Sequence, residues 1–134
     1  EIFFGNGDEA QRILKIKELD PKVLMNALHV LGPKIVVMTD GIKGAYAREE
    51  NGDMWFMPIY PHEPVERTGA GDAFASTITS ALLMGKTLEE ALLWAPINAM
   101  AVTQEIGAQK GLLSQEKIQE YLKSAPADYK PKKI

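Results

Sequence analysis

The apolar and polar positions of this chain predict strands and helices in turn. Two short apolar runs, Glu1–Phe4 and Lys34–Thr39, have the character of buried strands, and the second is typical of a central parallel strand. Between them, "GNGDEAQRILKIKE" predicts a helix capped near Asp8. "DPKVLMNALHVLG" predicts a second helix, with Asp20 as N-cap and Pro21 at its first position. This alternation indicates an α/β layered sheet with helices packed on it.

After Thr39 the pattern predicts first a hairpin and then mainly helices. "AYARE" and "MWFMPIY" predict two strands, because the turn sequence "NGD" joins them. One helix starts at the glycines of "TGAGD". The next begins with a capping box, Thr87 to Glu90, and Pro96 should kink or divide it. "SQEKIQEYLKS" predicts a last amphipathic helix, and residues 125–134 predict a polar, solvated tail.

Length, charge and composition exclude several classes of function. The 134 residues are enough for one domain, and a formal charge of −3 gives no field that attracts nucleic acid or an anionic membrane. The absence of cysteine excludes disulfides and thiol chemistry, and two histidines make a histidine-rich zinc site unlikely. No signal peptide or membrane span is visible, so we expect a cytoplasmic protein. The opening "EIFFGN" lacks Met and reads as a strand already begun, which favours a fragment without its N-terminal part.

The helix that starts at "TGAGD" carries the strongest chemical signal. Glycine is a poor helix former, so Gly69 and Gly71 indicate a need for bare backbone beside the carboxylate of Asp72. A P-loop is excluded because the complete string Gly-x-x-x-x-Gly-Lys-Ser/Thr does not occur. A dinucleotide fingerprint is disfavoured, since Phe74 stands at the third glycine position and no strand directly precedes the motif.

An anion hole with an adjacent base suits the motif better. The backbone amides of Gly69, Ala70 and Gly71 would hold a transferring phosphoryl group, because helix N-termini carry unpaired N–H groups and partial positive charge. Asp72 would accept the proton of an attacking hydroxyl. The plainer alternative makes Asp72 a helix cap and the glycines a flexible loop entry.

"RTGAGDAFAS" resembles the second signature of the PfkB carbohydrate kinase family, which has the ribokinase-like fold. "NGDE", "VVMTDGIKGAYA" and "AVTQEIGAQ" resemble further motifs of that family. The resemblance implies that residues 1–124 are the C-terminal nucleotide-binding and catalytic part of a ribokinase-like domain with a mostly parallel sheet. The first signature, the lid strands and most sugar contacts belong to an N-terminal half that is absent from this sequence.

The resemblance also assigns ligand contacts. It implies Mg²⁺, held mostly through water, at Asn6 and Glu9, and a monovalent cation such as K⁺ near Glu66 and Thr68. Gly111 stands near a position where some relatives carry Ser. The implied nucleotide contacts are Thr39, Gly41, Gly44, Asn98, Gly107 and Ala108.

The function implied is ATP-dependent phosphorylation of a hydroxyl on a sugar or nucleoside. The expected partners are ATP, that small molecule and the missing N-terminal half, and a homodimer is compatible with the family. The alternative is a nucleotide-binding or assembly module without catalysis. The identity of the acceptor stays open, since ribose, fructose, a keto-sugar acid and adenosine all fit this half.

Overall fold

The computed structural model describes residues 1–63, 68–106 and 111–134 of the chain. They form two compact units. One unit contains Glu1–Met57 together with Lys132–Ile134, and the other contains Pro58–Pro131. No helix in the described ranges is long and apolar enough to cross a membrane.

The first unit is a five-stranded sheet with two helices. The strands lie in the order β1-β2-β3-β4-β5. Its elements in chain order are β1 (Ile2–Asn6), α1 (Gly7–Leu14), α2 (Pro21–Val30), β2 (Ile35–Thr39), a 3₁₀ turn (Gly41–Lys43), β3 (Ala45–Arg48), β4 (Met54–Met57) and β5 (Lys132–Lys133).

The sheet is mixed, so the expectation of a mostly parallel sheet has to be corrected. Only β1 and β2 pair in parallel, through the crossover that α1 and α2 provide. The pairs β2–β3, β3–β4 and β4–β5 are antiparallel. The direction of β3 follows from the short connection after β2, because a tight turn can only return the chain in the opposite direction. The hairpin predicted around "NGD" is confirmed.

One face of this sheet is covered by α1 and α2. The apolar side chains of both helices meet those of β1, β2, β3 and β4 in a single cluster. Burying these side chains supplies the hydrophobic stabilisation of the unit. The buried members are Ala10, Leu24, Met25, Leu28, Val36 and Met38, with Phe3, Leu14, Tyr46 and Met54 packed at the margin.

The second unit is helical. It contains α3 (Ala70–Leu83), α4 (Leu88–Thr103) and α5 (Gln115–Lys123). The capping box of α4 is confirmed, since the Glu90 N–H donates to Thr87 Oγ1 (3.2 Å) and the Thr87 N–H donates to Glu90 Oε2 (2.8 Å). Pro96 does not divide α4, which is continuous through it. Pro96 has no N–H to donate within the helix, so one backbone hydrogen bond is lost. Its ring is buried, as are the neighbouring Ala95 and Ile97.

The C-terminal segment is anchored and is not the solvated tail that its polar sequence predicts. Tyr129 is 6% exposed, and its hydroxyl donates to the Leu93 carbonyl of α4 (2.7 Å). Its ring also packs edge-on against Tyr60, with ring centroids 5.1 Å apart. Burial raises the pKa of Tyr129, so the hydroxyl stays neutral and keeps its proton to donate. Tyr129 thus ties this polar segment to α4, and the pairing of β5 with β4 holds its last residues.

Replacing Tyr129 tests this anchor. Tyr129→Phe should lower the free energy of unfolding by about 1 kcal/mol, because the Leu93 carbonyl loses a buried donor. Tyr129→Ala should cost about 3–5 kcal/mol through the lost ring. Urea unfolding measures both, and the exposed neighbour Lys130→Ala is the control. Equal midpoints for Tyr129→Ala and Lys130→Ala would show that the segment is not anchored.

Candidate functional site

Helix α3 begins at a residue that only glycine adopts at low cost. Gly69 is the N-cap, and its backbone is left-handed, with φ 84° and ψ −5°. A side chain there would add strain. The carbonyl of Gly69 already accepts the first helical hydrogen bond, from the Ala73 N–H (2.9 Å). The chain therefore enters α3 abruptly, with bare backbone at the entry.

The start of α3 differs from the starts of the other described α-helices. A side-chain oxygen caps each of the other four, supplied by Asn6, Asp20, Thr87 and Ser114. No side chain among the described residues caps α3. Because the first N–H groups of a helix have no partner within it, the amides of this first turn are those best able to take a ligand.

Space and charge at this turn fit an anionic substrate beside a base. Beyond its own helical turn, no atom of the described residues lies within 4 Å of a Cβ built on Gly71, so the described part of the protein leaves open space there. Asp72 is exposed at the third helical position and is not the N-cap, contrary to the alternative that it caps the helix. Thr68 is also exposed, and Ala70 is half-buried. The second unit thus brings together Thr68, Gly69, Ala70, Gly71 and Asp72.

In the first unit, Asn6, Glu9 and Thr39 come together at the carboxyl ends of the parallel strands. Asn6 and Thr39 are register partners, each the last residue of its strand. Asn6 also caps α1. Its Oδ1 accepts from the Glu9 N–H (2.9 Å), while Glu9 Oε2 accepts from the Asn6 N–H (2.8 Å). The N-cap of α1 is therefore Asn6, two residues before the predicted position near Asp8.

The turn after β2 needs its glycines. Gly41 has φ 54° and Gly44 has φ 122°, both in the region that disfavours side chains. The Asp40 N–H donates to the Gly44 carbonyl (2.8 Å), which closes the turn. The glycines predicted to contact nucleotide thus also have a conformational role.

Asn98, a predicted nucleotide contact, is buried and forms hydrogen bonds to other residues of the protein. It is 7% exposed. Its Nδ2 donates to Thr77 Oγ1 of α3 (2.8 Å), and its Oδ1 accepts from the Leu113 N–H (2.9 Å). Both polar ends of the amide are therefore engaged inside the protein. Sequence reasoning missed this structural role because the partners are 21 and 15 residues away.

Three predicted site residues, Glu66, Gly107 and Ala108, lie outside the described residues. Gly111 is described, and a Cβ built on it would overlap the backbone of α4 at Ala101 and Val102. A side chain at this position would therefore require the backbone to move.

Comparison with known proteins decides the family. The pfkB family carbohydrate kinase profile matches residues 1–115. The chain belongs to this family. Bacillus subtilis ribokinase is 32% identical over 104 residues, which are 78% of this chain and 35% of that protein. Cytidine kinase of Thermococcus kodakarensis is 38% identical over 91 residues, which are 67% of this chain and 32% of that protein.

The fold of this pfkB chain matches that of ribokinases. The structure of Arabidopsis thaliana ribokinase, complexed with ribose and ATP, superposes with a TM-score of 0.83 at 28% identity. That match covers 92% of this chain and 41% of the ribokinase. The expected ribokinase-like fold is confirmed. The chain spans less than half the length of these relatives.

The capping box of α1 can be tested separately from any ligand role. Asn6→Ala should lower the free energy of unfolding by about 0.5–2 kcal/mol, because the Glu9 N–H loses its acceptor. Glu9→Gln is the matched control, since Gln also completes a capping box, and it should change stability little. Thermal or urea unfolding measures both. Equal losses for the two variants would contradict the capping role.

Proposed function

We propose that the protein containing this chain transfers the γ-phosphoryl group of ATP to a hydroxyl of a sugar or nucleoside in the cytoplasm. The observation that carries the proposal is the start of α3, where a left-handed glycine, open space at Gly71 and an exposed Asp72 follow one another without a side-chain cap. Membership of the pfkB family supports it, since the relatives named above are a ribokinase and a cytidine kinase.

In this proposal the amides of Gly69, Ala70 and Gly71 hold the group being transferred. Phosphoryl transfer depends mostly on positioning and on stabilising negative charge, and amides fixed at a helix N-terminus supply both without reorganising. Their partial positive charge faces the phosphoryl oxygens. The bare backbone at Gly71 lets the group approach closely.

Asp72 is the proposed general base. Its carboxylate takes the proton of the acceptor hydroxyl as that oxygen forms its bond to the γ-phosphorus. The bond from the γ-phosphorus to the bridging oxygen of ADP breaks, and ADP leaves with the electron pair. An exposed position on the first turn suits this role, because the carboxylate must reach an incoming substrate.

Asn6 and Glu9 are proposed to act on magnesium through water. Their capping box uses one side-chain oxygen of each, and the second carboxylate oxygen of Glu9 can still accept from a magnesium-bound water. The described residues contain no group of three His, Cys, Asp or Glu able to hold a metal. The carboxylate of Glu9 and the amide of Asn6 fit Mg²⁺, because this ion keeps several waters and is bound by few carboxylates together with substrate phosphates. The ion would neutralise charge on the phosphates of ATP.

The remaining contacts are proposed from the family resemblance. Thr39, Gly41 and Gly44 would contact the nucleotide, as would Gly107 and Ala108. Asn98 is left out of this set because both ends of its amide are engaged. A monovalent cation such as K⁺ near Glu66 and Thr68 belongs to the proposal as well.

The N-terminal half of the family domain is the proposed partner. The chain corresponds to 35% of B. subtilis ribokinase, and we assign residues 1–124 to the C-terminal part of such a domain. In the described sheet β1 is an edge strand, and its apolar sequence "IFF" suits pairing with a further strand. That half would supply most sugar contacts and the surface for a homodimer.

The alternative is a nucleotide-binding or assembly module without catalysis. Mixing the chain with a polypeptide that supplies the N-terminal half, then measuring phosphate transfer to ribose, fructose, a keto-sugar acid and nucleosides, separates the two functions. ATP binding without transfer to any acceptor in the mixture would favour the module.

Asp72→Asn tests the proposed base. In the complete enzyme it should lower kcat by about 10²–10⁴-fold, because a positioned base contributes that much to a proton transfer. The unfolding midpoint should stay close to that of the parent, since the side chain is exposed and does not cap the helix. Steady-state kinetics and urea unfolding measure the two effects. A kcat within a few-fold of the parent would remove Asp72 from the mechanism.

Gly71→Ala should change stability and turnover in opposite directions. The added methyl group meets no atom of the described residues within 4 Å beyond its own helical turn, and alanine is a better helix former than glycine by up to about 0.5–1 kcal/mol. The same methyl group would stand where the phosphoryl group approaches, so kcat/KM should fall by about 10²-fold or more. Gly7→Ala, also a helical glycine with open space, is the control. Unchanged kcat/KM in Gly71→Ala would contradict an anion hole there.

A further inference from the structure

A chain of three hydrogen bonds runs through the interior of the unit formed by Pro58–Pro131. The Leu113 N–H donates to Asn98 Oδ1 (2.9 Å), Asn98 Nδ2 donates to Thr77 Oγ1 (2.8 Å), and the Thr77 hydroxyl donates to the Ala73 carbonyl (2.6 Å). Thr77 and Asn98 are 6% and 7% exposed. Buried hydrogen bonds arranged in series polarise one another, which strengthens the chain as a whole.

Each end of this chain lies next to a segment with a proposed role. At one end, Ala73 is the residue after Asp72, within the first turns of α3. At the other end, Leu113 belongs to the connection between α4 and α5, in which the family resemblance places the loop that closes the nucleotide site. Asn98, in the middle of α4, bonds directly to Leu113 and reaches Ala73 through the Thr77 hydroxyl.

Gly111 holds the same connection against α4 by a second contact. A Cβ built on Gly111 would overlap the Ala101 carbonyl oxygen, so only hydrogen fits between the two backbones. The segment from Gly111 to Leu113 is therefore fixed on α4 by close backbone approach and by the hydrogen bond to Asn98.

We propose that Asn98 is a positioning residue, which holds the end of the α4–α5 connection in register with the catalytic turn of α3. The inference rests on the proposed function, since it assigns Asn98 an effect on nucleotide binding without contact to the nucleotide. Loss of the amide frees the Leu113 N–H from its acceptor, and the connection can then leave α4. Binding of ATP weakens as a result, while Asp72 and the amides before it stay in place.

Asn98→Leu, which is close in size and removes both hydrogen bonds, is the main test. In the complete enzyme it should raise the KM for ATP about tenfold and leave kcat within about twofold. Thr103→Val is the matched control, because the buried Thr103 hydroxyl donates only within its own helix, to the Met100 carbonyl (2.7 Å). That variant should keep the parent KM.

The double variant Thr77→Val with Asn98→Leu separates positioning from loss of stability. Replacing both members of a buried polar pair by apolar groups of similar shape can be nearly neutral for stability. The double variant should therefore recover part of the unfolding midpoint that Asn98→Leu loses, yet keep the raised KM, because the Leu113 N–H still lacks its acceptor. A KM that recovers together with stability would overturn the inference.

Hydrogen exchange gives a readout that does not depend on activity. The Leu113 amide should exchange about tenfold faster or more in Asn98→Leu than in the parent and in Thr103→Val. A parent enzyme that neither binds ATP nor transfers phosphate would refute the proposed function. An active parent whose KM for ATP is unchanged by Asn98→Leu would refute the positioning role alone.

Discussion

The left-handed start of α3 is the constraint on which the proposed chemistry depends. The first N–H groups of a helix need hydrogen-bond acceptors from outside the helix. In each of the other described α-helices, one such N–H donates to a side chain two or three residues before it. At Gly69 no side chain exists to do this. The same glycine that permits the sharp entry therefore leaves the first turn without a side-chain cap among the described residues, as the proposed substrate binding requires. The conformational and the chemical demands are met by one residue.

Features set by local sequence could be predicted, and features set by distant contacts could not. Asp20 with Pro21 and the Thr87 capping box act within one helical turn, and both are confirmed. The direction of the strands after β2 depends on a turn closed across Asp40 and Gly44, and the expectation of a mostly parallel sheet was wrong. The anchored C-terminal segment depends on a hydrogen bond that spans 36 residues, which no local pattern encodes.

The same distinction between local sequence and distant contacts applies to the residues of the candidate site. Gly69 to Asp72 stand out in the sequence because two glycines at a helix start are costly unless bare backbone is needed. Asn98 was assigned to the nucleotide by the family resemblance and not by a local pattern. Its hydrogen bonds to Thr77 and Leu113 give another explanation, since a buried amide must find partners and can use them to join separate segments.

Asn6 and Glu9 show how a family motif can meet two demands at once. The spacing of three residues that resembles the family's magnesium-associated motif is also the spacing of a capping box, and the structure forms that box. Spacing alone therefore cannot distinguish a ligand role from a structural one. Charge can, because an amide at position 9 would cap the helix as well as a carboxylate, whereas only the carboxylate carries the negative charge that favours the water shell of a divalent cation.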